Sequence, residues 1–337
     1  TYPFAKHIFQ LYNASDLILD YSVVYYEIRV LGFPFTLFTI AVFGAFRGLQ
    51  NTYYPMVIAI IGAASNILLD IILVYGIEGY IQAMNIEGAA YASVIAQILM
   101  AVCSAYFLLK KTSIPLKPSF PFNPEINRFI LMILNLFIRT IALNVTLYFA
   151  SAYATSYGAK YIAAYTIAIN LWFLGAFIVD GYASAGNILS GKLFGAKAYS
   201  SLITLSNKLI KYGVIIGIIL GLLGALFYYP IGRIFTKEPA VLEAFYNVFW
   251  IVLVMQPLCT LAFIFDGIFK GLGQMKYLRN VLLFSTFLVF IPILFGLDHL
   301  DYKLHAIFIA ITFWIIARGV PLIIKFRQQF LPLVQNN

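Results

Sequence analysis

Asn66 and Asp70 stand four residues apart inside the apolar run PMVIAIIGAASNILLDIILVYGI, residues 55–77. On a helix that spacing puts both side chains on one face. An amide oxygen and a carboxylate so placed can turn toward a hard cation such as Na+, and a Ser hydroxyl from the next helix can complete the oxygen shell. Asp70 can instead carry a proton, because protonation lets a carboxyl group sit neutral in low-dielectric surroundings. The bland alternative is an Asp that hydrogen-bonds a neighbouring helix. An ionisable residue deep in an apolar span marks function by default.

Two more charges sit in mid-run. Arg139 lies in NRFILMILNLFIRTIALNVTLYF and Asp180 in LWFLGAFIVDGYASAG. Counted at about 1.5 Å per residue from one membrane side they reach similar depth, so adjacent antiparallel helices would pair them. The expectation is a structural or gating ion pair. Asn135, Asn144 and Asn170 add polar groups to the same two runs, with interhelical hydrogen bonding as the plain reading. Tyr161, Tyr165 and Trp172 offer cation–π faces for a flat cation, although most aromatics in such a chain pack or mark interfaces. Arg29 with Glu27 lies near the outer end of its run, where snorkelling is an equal alternative. Asp266 lies near the cytoplasmic end of its run and is expected to be hydrated, without a functional role.

Other patterns carry less. GNILSGKL (186–193) nearly spells a phosphate loop, but Leu193 replaces the required Ser or Thr and no strand precedes it. GVIIGIILGLLG (213–224) signals close helix packing. Cys103 and Cys259 fall in apolar runs and read as small buried hydrophobes. His7, His299 and His305 form no ligand cluster. No paired metal motif and no nucleophile–base set is present, so an enzyme is not expected.

These residues must be held by membrane-spanning helices. Of the 337 residues 62% are hydrophobic and 10% charged, with mean hydropathy +0.91. A soluble domain carries about 25% charged residues. Apolar runs of about 20 residues recur, each long enough for a bilayer core of ~30 Å and too continuous for barrel strands. Nine spans are predicted, near 22–49, 53–77, 86–110, 126–153, 158–186, 203–229, 242–271, 278–298 and 303–326. The fold class is an all-α polytopic membrane protein.

The loop charges alternate in sign. Asp16, Asp20, Glu78 and Glu87 mark two acidic connections, whereas Lys110, Lys111, Lys117, Lys192, Lys197, Lys208, Lys270 and Lys276 mark basic ones. Basic connections face the cytoplasm, which places the C-terminus inside. The net charge of +9 then reflects topology and anionic lipid, not nucleic acid. The Pro-rich stretch SIPLKPSFPFNPE, 113–125, reads as a cytoplasmic linker between a partial first lobe, 1–112, and a second lobe, 126–337.

A repeat supports two lobes. GFPFTLFTIAVFGAFRGLQNTYY from residue 32 aligns without gaps on MQPLCTLAFIFDGIFKGLGQMKY from residue 255, at an offset of 223. Pro34 meets Pro257, Gly44 meets Gly267, Phe46 meets Phe269, Gly48 meets Gly271 and Tyr54 meets Tyr277. Both copies run in the same direction, as in transporters whose halves share an axis along the membrane normal. A first lobe equal to the second would begin about 97 residues before Thr1, so about three of its helices are expected upstream.

FRGLQNTYYP, SNILLDIILVYG, IEGAAYASVIAQ and DGYASAGNILSGKLFGAK, with YYEIRVLGFP, resemble the multidrug and toxic compound extrusion (MATE) family and its DinF-like branch. The resemblance implies two pseudo-symmetric lobes of six helices, of which this chain carries about three and six. It implies efflux of small organic cations by proton- or sodium-coupled antiport with alternating access, and no cofactor beyond the coupling ion. It implies a cation site that maps onto Asn66, Asp70 and Ser93, with Asp70 as the Na+ ligand, and a substrate cavity for which Asn144, Tyr165, Asn170 and Trp172 are candidates. A monomer in the bacterial inner membrane follows, partnered by lipid and substrate. The competing readings are a flippase for lipid-linked precursors, which one mid-membrane Arg against two Asp disfavours, and a truncated, non-transporting membrane protein.

Overall fold

The computed structural model describes Lys6 and residues 16–77, 79–116 and 124–335. His7, Glu78, Lys117 and the middle of the linker lie outside the described residues, as do Ile8 and Phe9, which resemble Ile234 and Phe235 of the second lobe. Among the described residues the chain is helical and has no strand. The helices are α1 Asp16–Val30, α2 Phe33–Gly48, α3 Tyr53–Tyr75, α4 Asn85–Lys111, α5 Ile126–Ser156, α6 Ala159–Gly195, α7 Tyr199–Leu226, α8 Tyr228–Phe235, α9 Pro239–Gly271, α10 Met275–Phe284, α11 Ile291–Asp298 and α12 Leu304–Gln335. Among the described residues eight spans are long and apolar enough to cross a membrane, and nine if α1 and α2 count as one bent span. They fall into two compact units, one within residues 1–121 and one within 122–337.

The first expected span, 22–49, is broken: α1 and α2 meet at 48°. Gly32 and Pro34 explain the break, since Pro34 cannot donate the backbone bond that would continue α1. The repeat partner Pro257 lies inside the unbroken α9. There Met255 stands where the first copy has Gly32, and its fully buried side chain packs in the core. The aromatic pair of the repeat does keep its spacing. Phe46 and Tyr54 have ring centroids 5.3 Å apart, and Phe269 and Tyr277 5.6 Å.

In the second unit α9 is the central helix, buried along most of its length. The glycine run of α7 lets it come close. A methyl group on Gly217 would lie 2.7 Å from the Pro257 Cα, and one on Gly221 3.1 Å from the Leu253 carbonyl. Gly267 and Gly271 in turn face the backbone of α6 at Ala183 and Asn187. Small residues at these contacts replace the hydrophobic drive that lipid cannot supply.

The last hairpin carries a π segment, Ser285–Phe290, just before Pro292. Pro292 has no N–H for the carbonyl one turn back, and a wider turn absorbs the mismatch. Thr286 anchors the segment: its Oγ1 accepts the Trp314 indole N–H at 3.1 Å and lies 3.0 Å from Thr146 Oγ1.

Candidate functional site

In the first unit α3 and α4 approach through glycines. Gly62 receives the Met100 side chain and Gly88 the Leu73 backbone. That contact sets Asn66 against Ser93: Asn66 Nδ2 donates to Ser93 Oγ at 3.4 Å. Both are half-buried. Asp70 follows one turn along α3, also half-buried, and makes no hydrogen bond or ion pair among the described residues. Among the described residues no donor meets Asn66 Oδ1, so an amide oxygen and a carboxylate share this face. No cluster of three His, Cys, Asp or Glu occurs among the described residues. A cation held here would therefore have one carboxylate and neutral oxygens around it.

The charge pair of the second unit differs from expectation. Arg139 does not pair with Asp180. Its Nη2 donates to Asp266 Oδ1, and Lys270 Nζ lies 2.8 Å from Asp266 Oδ2. Asp266 is buried at 5% exposure, against the expectation of a hydrated residue, and Asp180 is exposed. Similar depth was not enough, because the azimuth of each residue about its helix decides which carboxylate Arg139 meets.

A second buried arginine completes this region. Arg318 of α12 is 4% exposed and makes no hydrogen bond or ion pair among the described residues. Its guanidinium sits 4.6 Å from the Trp314 ring centroid and 5.5 Å from that of Phe263. Asp266 is within electrostatic reach, but both of its carboxylate oxygens are engaged by Arg139 and Lys270. Arg318 borders a cavity of about 150 Å³ whose walls include Trp172, Phe173, Phe263, Trp314 and Asp180. Sequence reading passed over Arg318, although a lone Arg inside FIAITFWIIARGVPLII carries the same signal that singled out Arg139. With Arg318 counted, the inventory of one Arg against two Asp no longer holds.

The remaining candidates scatter. Trp172 lines that cavity and donates its Nε1–H to Cys259 Sγ at 3.2 Å. Tyr165 is buried in the core against Phe308 and does not line it. Asn144 and Asn170 are exposed, and each donates back to its own helix, at Thr140 and Thr166. Asn135 accepts from Arg279 at 2.8 Å. Arg29 borders an open cavity of about 660 Å³ in the first unit, with Tyr21, Tyr25 and Phe33.

Comparison with known proteins gives a consistent picture. The MatE family profile matches residues 1–72 and 132–295. Protein DETOXIFICATION 43 of Arabidopsis thaliana is 29% identical over 253 residues, covering 75% of this chain and 47% of that protein. DNA damage-inducible protein F of Escherichia coli (strain K12) is 24% identical over 340 residues, covering 97% and 71%. The chain spans about half the length of the plant relatives it matches. An outward-facing structure of a multidrug resistance MATE family transporter of the MOP superfamily superposes with a TM-score of 0.89 at 21% identity, covering 99% of this chain and 75% of that one.

Proposed function

Because the chain belongs to the MatE family, we propose that it works in secondary transport, exporting small organic compounds against H+ or Na+ moving the other way. The observation that carries this reading is the polar face of α3 and α4. Asn66 bonds Ser93, and Asp70 stands one turn away with no protein partner among the described residues, inside a span of high hydropathy. A carboxylate left unpaired in such a span is costly to keep without a use. Binding of the ion and of the compound would each favour a different state of two lobes, which is alternating access. Organic cations are the class the resemblance implies, drawn by carboxylates and aromatic faces. The loop charges support a cytoplasmic C-terminus, and the DinF-like resemblance supports a monomer in a bacterial inner membrane. A flippase for lipid-linked precursors is the competing reading, and it gains from Arg318, a cation that borders a cavity.

The test uses proteoliposomes carrying the protein. Ethidium movement is followed under an imposed H+ or Na+ gradient, for the parent and for Asp70→Asn. Gradient-driven movement that the substitution abolishes or uncouples supports the antiporter and names its ion. Equal movement in both makes Asp70 structural. No movement in either rejects ethidium-like cations as substrates.

A further inference from the structure

We infer that the cavity beside Arg318 is a binding site for a small aromatic monocarboxylate. Arg318 is the anchor. A guanidinium carries five N–H donors in a planar fork that matches a carboxylate. In this chain it is 96% buried, has no hydrogen bond or ion pair among the described residues, and lines the cavity. Its cation–π contacts with Trp314 and Phe263 supply no hydrogen-bond acceptor, so its N–H donors have none among the described residues. Asp266, the buried carboxylate within electrostatic reach, is already engaged at both oxygens. A buried arginine in this state lacks an anion.

The walls choose the rest of the ligand. Trp172, Phe173, Phe263 and Trp314 present aromatic surfaces. The volume of about 150 Å³ equals that of an apolar cavity that holds one benzene ring. One ring bearing one carboxylate therefore fits both the space and the charge. Asp180 lines the same cavity and repels a second negative charge, which selects monoanions over dianions. The inference rests on the transporter reading only for its physiological meaning, since binding is measurable without transport.

The experiment is calorimetric titration of the purified chain in neutral detergent with benzoate, benzamide and benzylammonium. Benzoate binding tighter than both analogues is the expected result. Arg318→Gln raises its Kd about tenfold or more, and Arg318→Lys, which keeps the charge but loses the fork, falls between. Asp180→Asn lowers the Kd for benzoate several-fold. Ala176→Leu fills the cavity while leaving Arg318 in place and abolishes binding, which covers the case in which Arg318→Gln fails to fold. Equal binding of benzamide, preference for benzylammonium, or no benzoate binding overturns the site. So does an unchanged Kd in a folded Arg318→Gln protein. Ethidium transport can fail while benzoate binds, and the reverse, so this site and the antiporter reading stand or fall separately.

Discussion

Arg139 on α5 and Asp266 on α9 form a buried ion pair, and Lys270 takes the second oxygen of the same carboxylate. Removing one member of such a pair leaves an uncompensated charge, at a cost of about 3–5 kcal/mol. Asp266→Ala is therefore expected to lower thermal stability strongly in detergent, and Asp180→Ala only slightly. A double-mutant cycle checks the assignment: Arg139 should couple to Asp266 and not to Asp180. Coupling to Asp180 instead would show that this pairing is not the one in solution.

Gly217 meets the Pro257 backbone with no room for a methyl group, whereas Gly181 faces open space. Gly217→Ala should destabilise by about 1–3 kcal/mol, the range for overpacking, and Gly181→Ala should stay within about 0.5 kcal/mol. Melting of the two variants side by side decides it.

Thr286 Oγ1 accepts the Trp314 N–H at a fully buried position. Thr286→Val keeps the volume and strands the indole donor, at a cost of about 1–3 kcal/mol, while Thr286→Ser should be nearly neutral. If Val and Ser behave alike, the hydrogen bond does not hold the π segment in place.

Asp70, Asn66 and Ser93 give a sodium prediction. If they form a cation site, Na+ should raise the melting temperature of the parent relative to choline by mass action, and Asp70→Asn should lose the effect. Asn66→Ala should shift the response to higher Na+. A parent that ignores Na+ leaves Asp70 as a proton carrier or a structural group.

Tyr157, in the turn after α5, donates its hydroxyl to Asp298. Burial first, and then the Asp298 carboxylate beside it, push the Tyr157 phenol above its ordinary value. A folded-state value above the unfolded one stabilises fully below the unfolded value of about 10 and is lost as pH rises past it. The stability gap between the parent and Tyr157→Phe should be flat from about pH 6 to 9 and shrink above about pH 10. A gap that changes between about pH 6 and 9 would point to a different titrating group.

Local pattern determined a good deal of this protein. Continuous apolar runs required helices, because lipid leaves no other way to satisfy the backbone. The four-residue spacing of Asn66 and Asp70 put them on one face whatever the helix packed against. The glycine run 213–224 announced a close helix contact without saying with which helix. Tertiary structure decided what spacing cannot carry. Pro34 and Pro257 occupy matching repeat positions, yet one starts a helix after a 48° bend at the buried Gly32, and the other lies within an unbroken core helix beside the buried Met255. Depth along the span pointed Arg139 to Asp180 and set Asp266 aside as hydrated, but the rotation of each helix about its axis left Asp266 inward and Asp180 exposed. Arg318 acquired its meaning only when both oxygens of Asp266 proved to be engaged by other cations. Partner choice depends on which helices meet and at what azimuth, and that is set by long-range packing of small residues and not by any local run of sequence.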